Sequence, residues 1–125
     1  MKLVDTTVAV DHLRGLTSAT RLLTELVAAD ETLAASEITR FELLAGVRRE
    51  ELDALEDFFS ALVWIPVDEE ISRTAGALAH RLRRSHRGID DADYLIGATA
   101  LVLGADLLTT NVRHFPMIPG LRPPY

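Results

Sequence analysis

Four short apolar runs divide this chain, and the stretches between them carry the three-to-four-residue spacing of amphipathic helices. Leu3-Val4 is the first run, Thr32 to Ala35 the second, Val63 to Val67 the third and Ala105 to Thr109 the fourth. Strands separated by helices need crossover connections, so the pattern specifies an α/β fold with a mainly parallel sheet. In such sheets ligands bind beyond the carboxyl ends of the strands, near the point where strand order reverses. Those ends are where chemistry is to be sought.

Helix signals fill the gaps. Val8 to Leu13 follows Asp5-Thr6-Thr7 and stops at Gly15, and Thr17 or Ser18 is placed to cap the next helix. Ser36 caps a helix through Phe41, Leu44 and Val47, with Glu37 and Arg40 three residues apart. An acidic amphipathic helix is expected over residues 51–63, with Leu52, Leu55, Phe58, Phe59 and Leu62 inward. Asp68 caps a long helix to about Arg84 that turns Ile71, Ala75, Leu78 and Leu82 inward. Asp90-Asp91 opens another, stopped by Gly104, and Phe115 to Pro124 closes the chain, with room for a short last strand. No repeat or linker interrupts residues 1–125, which read as a single domain.

Composition narrows the function classes. A chain of 125 residues, 48% hydrophobic and 26% charged, is an ordinary globular fold with no apolar run long enough to span a membrane. With no cysteine and no secretory leader pattern, a cytoplasmic location is expected. A net charge of −6 excludes a protein that coats polyanions. Lys2 is the only lysine among 13 basic side chains, which argues against P-loop and Schiff-base chemistry. Genomic base composition is the simpler source of that scarcity.

Asp5 directly follows the first strand, Glu42 lies in the helix after the second, Asp93 opens the helix before the fourth, and Asn111 follows it. Carboxylates gathered in a partly dry cleft repel one another and are costly to desolvate. A hard divalent cation such as Mg²⁺ or Mn²⁺ removes that conflict and suits phosphodiester hydrolysis. Each acid also has a plainer reading. Asp5, Asp90, Asp91 and Asp93 can all serve as helix caps, and Glu42 can be a solvated helix residue. Glu42 is the least easily dismissed, because Phe41 and Leu43-Leu44 surround it with apolar sequence.

These same blocks resemble a known family. Leu3-Val4-Asp5-Thr6, Ile38 to Gly46 around Glu42, Ile89 to Ala100 around Asp93, and Leu107 to Phe115 resemble, in order, the signatures of PIN-domain ribonucleases. Ile118-Pro119-Gly120-Leu121 is similar to a frequent ending, and order, spacing and length resemble VapC-type toxins of bacterial toxin–antitoxin pairs. The resemblance covers the whole chain. It implies a PIN-like three-layer α/β/α fold and a Mg²⁺-dependent endoribonuclease, with Mn²⁺ as a substitute. In that reading Asp5, Glu42 and Asp93 are the catalytic and metal-holding residues, and Thr6, Asp90 and Asn111 support them. Thr6 would orient Asp5 or a phosphate oxygen. Asn111 and His114 stand where many relatives have acids, which puts a second cation in doubt.

The only concentrated positive segment is Arg81, Arg83, Arg84 and Arg87, interleaved with His80 and His86. It is read equally as complement to a helix C-terminus and as a contact for the RNA backbone. The partners implied by the resemblance are a cognate VapB-type antitoxin, RNA and a second copy in a homodimer, with no membrane. Two rivals remain: a phosphatase or receiver-like domain, which lacks its interior lysine and mid-chain nucleophile here, and a catalytically weakened PIN-like interaction module.

Overall fold

A computed structural model of the chain describes residues 1–125. Strands β1 (Lys2–Val4), β2 (Leu33–Ser36), β3 (Val63–Ile65) and β4 (Asp106–Leu108) form one sheet in the order β3-β2-β1-β4, and every pairing is parallel. Helices α1 (Thr6–Leu13) and α2 (Thr17–Ala28) join β1 to β2, and α3 (Glu37–Gly46) and α4 (Leu52–Ser60) join β2 to β3. Helices α5 (Glu69–Leu82) and α6 (Asp91–Leu103) make the long crossover to β4. The chain steps outward from β1 to β3 and then returns to pair β4 on the other side of β1. Strand order therefore reverses between β1 and β4, and their carboxyl ends are where such sheets bind ligands.

Alternation along the strands builds two cores, one on each face of the sheet. Leu3, Ala34 and Leu107 face α5 and α6, where Ile71, Ala75, Leu78, Tyr94 and Ile96 complete one buried cluster. Val4, Leu33, Ala35 and Leu108 face the other way, against Val8 and Ala9 of α1, Leu23 of α2, Leu43 of α3, and Leu55 and Phe59 of α4. The result is the three-layer α/β/α arrangement. Arg40 ties α3 to the outer strand: it bonds Glu37 at 2.6 Å while its guanidinium lies 4.0 Å from the centre of the Trp64 ring.

Several helix ends follow local chemistry. Ser36 accepts from the Ile38 N–H, Asp68 from Ile71 and Asp90 from Asp93. Gly104 ends α6 in the left-handed region, with φ 61°. Three expectations need correction. The cap of α2 is Leu16, not Thr17 or Ser18, because Gly15 at φ 83° reverses the chain one residue earlier. Residues 51–63 are divided between a 3₁₀ turn at Arg49–Glu51, α4 and the start of β3, and Leu52 is exposed. The closing segment adds no strand. Its prolines lack ladder donors, and after a 3₁₀ turn at Val112–His114 it packs by Phe115 and Met117 on α6. Gly97 permits that approach, since a β-carbon there would meet Met117 Sδ at 2.8 Å. No helix is long and apolar enough to cross a membrane.

Tyr94 introduces one local conflict. Its ring is buried between α5 and α6, but its hydroxyl has no hydrogen-bond partner. An unpaired buried polar group costs about 1–3 kcal/mol. Tyr94→Phe should therefore raise the free energy of unfolding by about 1 kcal/mol, read as a higher denaturant midpoint at unchanged m-value. A lower midpoint would show that the hydroxyl is satisfied.

Candidate active site

The β1–β4 register sets the site. Val4 is opposite Leu108, and the Asp5 N–H continues the ladder to the Leu108 carbonyl at 2.9 Å, so Asp5 comes level with Thr109. Asp5 is only 3% exposed. A carboxylate this dry needs strong donors, and two hydroxyls supply them. Thr7 donates to Asp5 Oδ2 at 2.9 Å and Thr109 at 2.7 Å. Each hydroxyl in turn accepts a backbone N–H, Thr7 from Thr110 at 3.1 Å and Thr109 from Asn111 at 3.0 Å. With an N–H on each oxygen, both hydroxyls can turn a proton towards Asp5 Oδ2, and they also lie 3.3 Å from each other.

Glu42 is reached from the same loop. Thr6 donates to Glu42 Oε1 at 2.6 Å and lies 3.2 Å from the buried Thr39 hydroxyl. Of the two roles expected of Thr6, orienting Asp5 falls to Thr7 and Thr109 instead, and Thr6 serves Glu42. The sequence carried a signal for both, since a Thr-Thr pair follows each of β1 and β4. The apolar surroundings inferred for Glu42 also differ. Leu43 is buried, but Phe41 and Leu44 point to solvent and Glu42 is half-buried.

Asp93 occupies the third corner. Its Oδ2 lies 2.9 Å from His114 Nδ1, and the same nitrogen lies 2.8 Å from the Asn111 amide. Asp90 caps α6 through the Asp93 N–H at 3.0 Å and adds its own negative charge nearby. Burial pushes the Asp93 carboxyl up to about 6, Asp90 adds to the rise, and His114 opposes it. The 3₁₀ turn at Val112–His114 carries the His114 ring onto Asp93.

Of the four arginines, only Arg83 is tied to the α6 terminus that carries Asp93. Arg83 bonds Asp91 Oδ1 at 2.9 Å and lies 5.8 Å from the Tyr94 ring centre, while Arg81, Arg84 and Arg87 are exposed without acidic partners. His80, Arg83 and Arg84 line an open recess of about 690 Å³ on α5. A second groove, of about 650 Å³, runs between α1, α3 and α4. Val10, Leu13, Leu43 and Val47 line it, and Glu42 forms part of its wall.

No three acidic or imidazole side chains are drawn together into a ready-made cation cage. Each acid instead leans on its own neutral or cationic donor, as repelling carboxylates do. The donor set nevertheless suits a hard cation. The recorded hydrogen bonds use only Asp5 Oδ2, Glu42 Oε1 and Asp93 Oδ2, leaving one oxygen on each acid.

The family described as PIN domain matches residues 2–120. This chain belongs to the PIN-domain family. Ribonuclease VapC19 of Mycobacterium tuberculosis is 68% identical over 125 residues, covering 100% of both chains. Ribonuclease VapC10 of the same organism is 41% identical, covering 100% of this chain and 93% of the relative. Among solved structures, a toxin–antitoxin complex from Klebsiella pneumoniae superposes with TM-score 0.82 at 26% identity, over 100% of this chain and 98% of the other. VapBC2 from Rickettsia felis, bound to a promoter DNA fragment, gives 0.81 at 28% identity, over 96% and 94%.

A carboxyl whose pKa rises on folding holds its proton more tightly in the native state. Ionising Asp93 between about pH 4 and 6 therefore removes stability, and the loss is complete above pH 6. In chelator, Asp93→Asn should raise the denaturant midpoint at pH 7.5 and leave it nearly unchanged at pH 4. Denaturant titrations across that range measure it. A pH-independent effect would refute the electrostatic cause.

Proposed function

We propose that this PIN-domain chain is a metal-dependent endoribonuclease, the toxin of a type II toxin–antitoxin pair, which hydrolyses RNA phosphodiester bonds and so inhibits translation and growth. The observation that carries the reading is 68% identity over the full length to Ribonuclease VapC19. The acids support it, since Asp5, Glu42 and Asp93 lie around the crevice where strand order reverses. The retained acids leave nothing to favour the weakened interaction module.

Asp5, Glu42 and Asp93 would hold Mg²⁺, or Mn²⁺ in its place, through their free oxygens. Bound there, the cation supplies Lewis-acid polarisation of the phosphodiester and a means of activating water. The remaining residues fix the ligands in place. Thr7 and Thr109 hold Asp5, Thr6 holds Glu42, and Asp90 fixes the α6 terminus that presents Asp93. Substitution of Asp5 or Asp93 by Asn should lower RNA cleavage at least ~100-fold, and chelator should abolish it in the unaltered chain. The check is a gel-based cleavage assay, with circular dichroism to confirm folding. Undiminished cleavage by both folded variants would overturn the site.

RNA reaches the acids past the exposed arginines of α5 and the turn after it. Replacing Arg81, Arg84 and Arg87 by Ala in an Asp5→Asn background should lower the slope of log affinity against log salt by up to ~2, at ~0.7 per phosphate contact. An unchanged slope would remove these side chains from the interface.

The antitoxin, of VapB type, fits the groove between α1, α3 and α4. Its apolar walls accept an apolar segment, and the charges along it are mixed, Glu42, Glu50 and Glu51 with Arg14 and Arg48. Exposed Phe41 and Leu44 on α3 offer an apolar contact for a second copy, the homodimer of this reading.

A further inference from the structure

Of the 13 basic side chains, four are held by acids: Lys2 by Asp106, Arg40 by Glu37, Arg73 by Glu69 and Arg83 by Asp91. Arg113 is not among them. It is exposed and takes part in no ion pair. The turn that carries it sets its place, because successive side chains of a 3₁₀ turn point about 120° apart. Val112 and His114 are half-buried, and His114 Nδ1 lies 2.9 Å from Asp93 Oδ2. Arg113 is thereby left facing solvent after β4, one residue from the ring that touches Asp93. Its backbone is fixed on both sides. The His114 N–H bonds the Asn111 carbonyl at 3.0 Å, the Phe115 N–H bonds the Val112 carbonyl at 3.1 Å, and Phe115 is buried in the core. A cation on a fixed backbone, with no anion of its own, is open to an anionic ligand.

The α6 terminus meets free cations from two parts of the chain. Arg84 and Arg87 lie in the turn before it, Arg87 three residues ahead of the Asp90 cap, whereas Arg113 arrives with the segment after β4. Between them stand Asp90 and Asp93, whose charges repel a polyanion. An RNA strand lies across such acids only where cations flank them, and a guanidinium fork suits a phosphate best. We propose that Arg113 is a contact for the RNA backbone on the β4 side of the acids, binding a phosphate that flanks the cleaved one. A single strand then runs from the α5–α6 turn across Asp93 to the turn after β4. The inference rests on the ribonuclease reading above and adds to it a substrate contact that the arginines of α5 do not supply.

The test is fluorescence anisotropy of a labelled single-stranded RNA of mixed sequence, bound by the antitoxin-free full chain carrying Asp5→Asn, between about 50 and 200 mM salt. Arg113→Ala should lower the slope of log affinity against log salt by ~0.7, the share of one phosphate contact on a single strand. Arg113→Lys keeps the charge but not the fork, so it should keep the slope and recover only part of the affinity. Arg21→Ala removes the same charge from α2, which packs on the other face of the sheet, and should leave the slope unchanged. An unchanged slope in Arg113→Ala, or an equal fall in Arg21→Ala, would overturn the contact and leave the ribonuclease reading intact. If Asp5→Asn folds poorly, the unaltered chain in chelator takes its place and the same slopes decide. RNA bound by neither form would overturn both.

Discussion

The buried carboxylate of Asp5 is the constraint on which the rest of the site depends. A charge 3% exposed at the end of a strand is tolerable only with strong donors. Those donors come from both ends of the chain: Thr7 lies two residues on, whereas Thr109 arrives with the last strand. Stability of the charge therefore requires that β4 lie beside β1 in the observed register. Conversely, that register directs the Thr109 hydroxyl to Asp5 and the Asn111 N–H to Thr109. The pairing that closes the sheet and the pairing that prepares the site are the same.

The two halves of the crevice are held differently. Asp5 and Glu42 receive hydroxyl protons from neighbouring threonines, short side chains that lose little freedom when fixed. Asp93 meets an imidazole and a neighbouring acid, so its charge is the least comfortable of the three. That discomfort is the usual mark of a group reserved for a ligand. It is confined to the first turn of α6, whose apolar body anchors it in one core through Tyr94 and Ile96.

Much of this was legible in the sequence because it depends on local chemistry. Short apolar runs between helical patterns specified a parallel sheet. Ser36, Asp68, Asp90 and Gly104 marked helix ends because capping involves groups within a few residues. The failures share a different cause. Leu16 displaced Thr17 because a left-handed glycine set the chain direction first. The resemblance offered Thr6 to Asp5 or to a phosphate oxygen, yet neighbours at a strand end point to different sides, and Thr6 turns to Glu42 of α3. The contact of His114 with Asp93 was not legible, because it spans 21 residues and depends on a 3₁₀ turn that no periodicity announces. Phe41 and Leu44 made the surroundings of Glu42 look apolar, but α3 has one buried stripe and theirs lies outside it.

Lys2 completes the account from the opposite end of the sheet. At the start of β1, its Nζ bonds Asp106 at the start of β4 at 2.7 Å, and that bond holds the ammonium pKa above its ordinary value. The only side-chain amine is thus a muted nucleophile, placed at the amino ends of the strands while Asp5 and Thr109 stand at the carboxyl ends. Acylating reagents that find Lys2 will attach the molecule by its rear. A surface or reporter coupled there would leave the crevice facing outward, in one orientation, without any engineered handle.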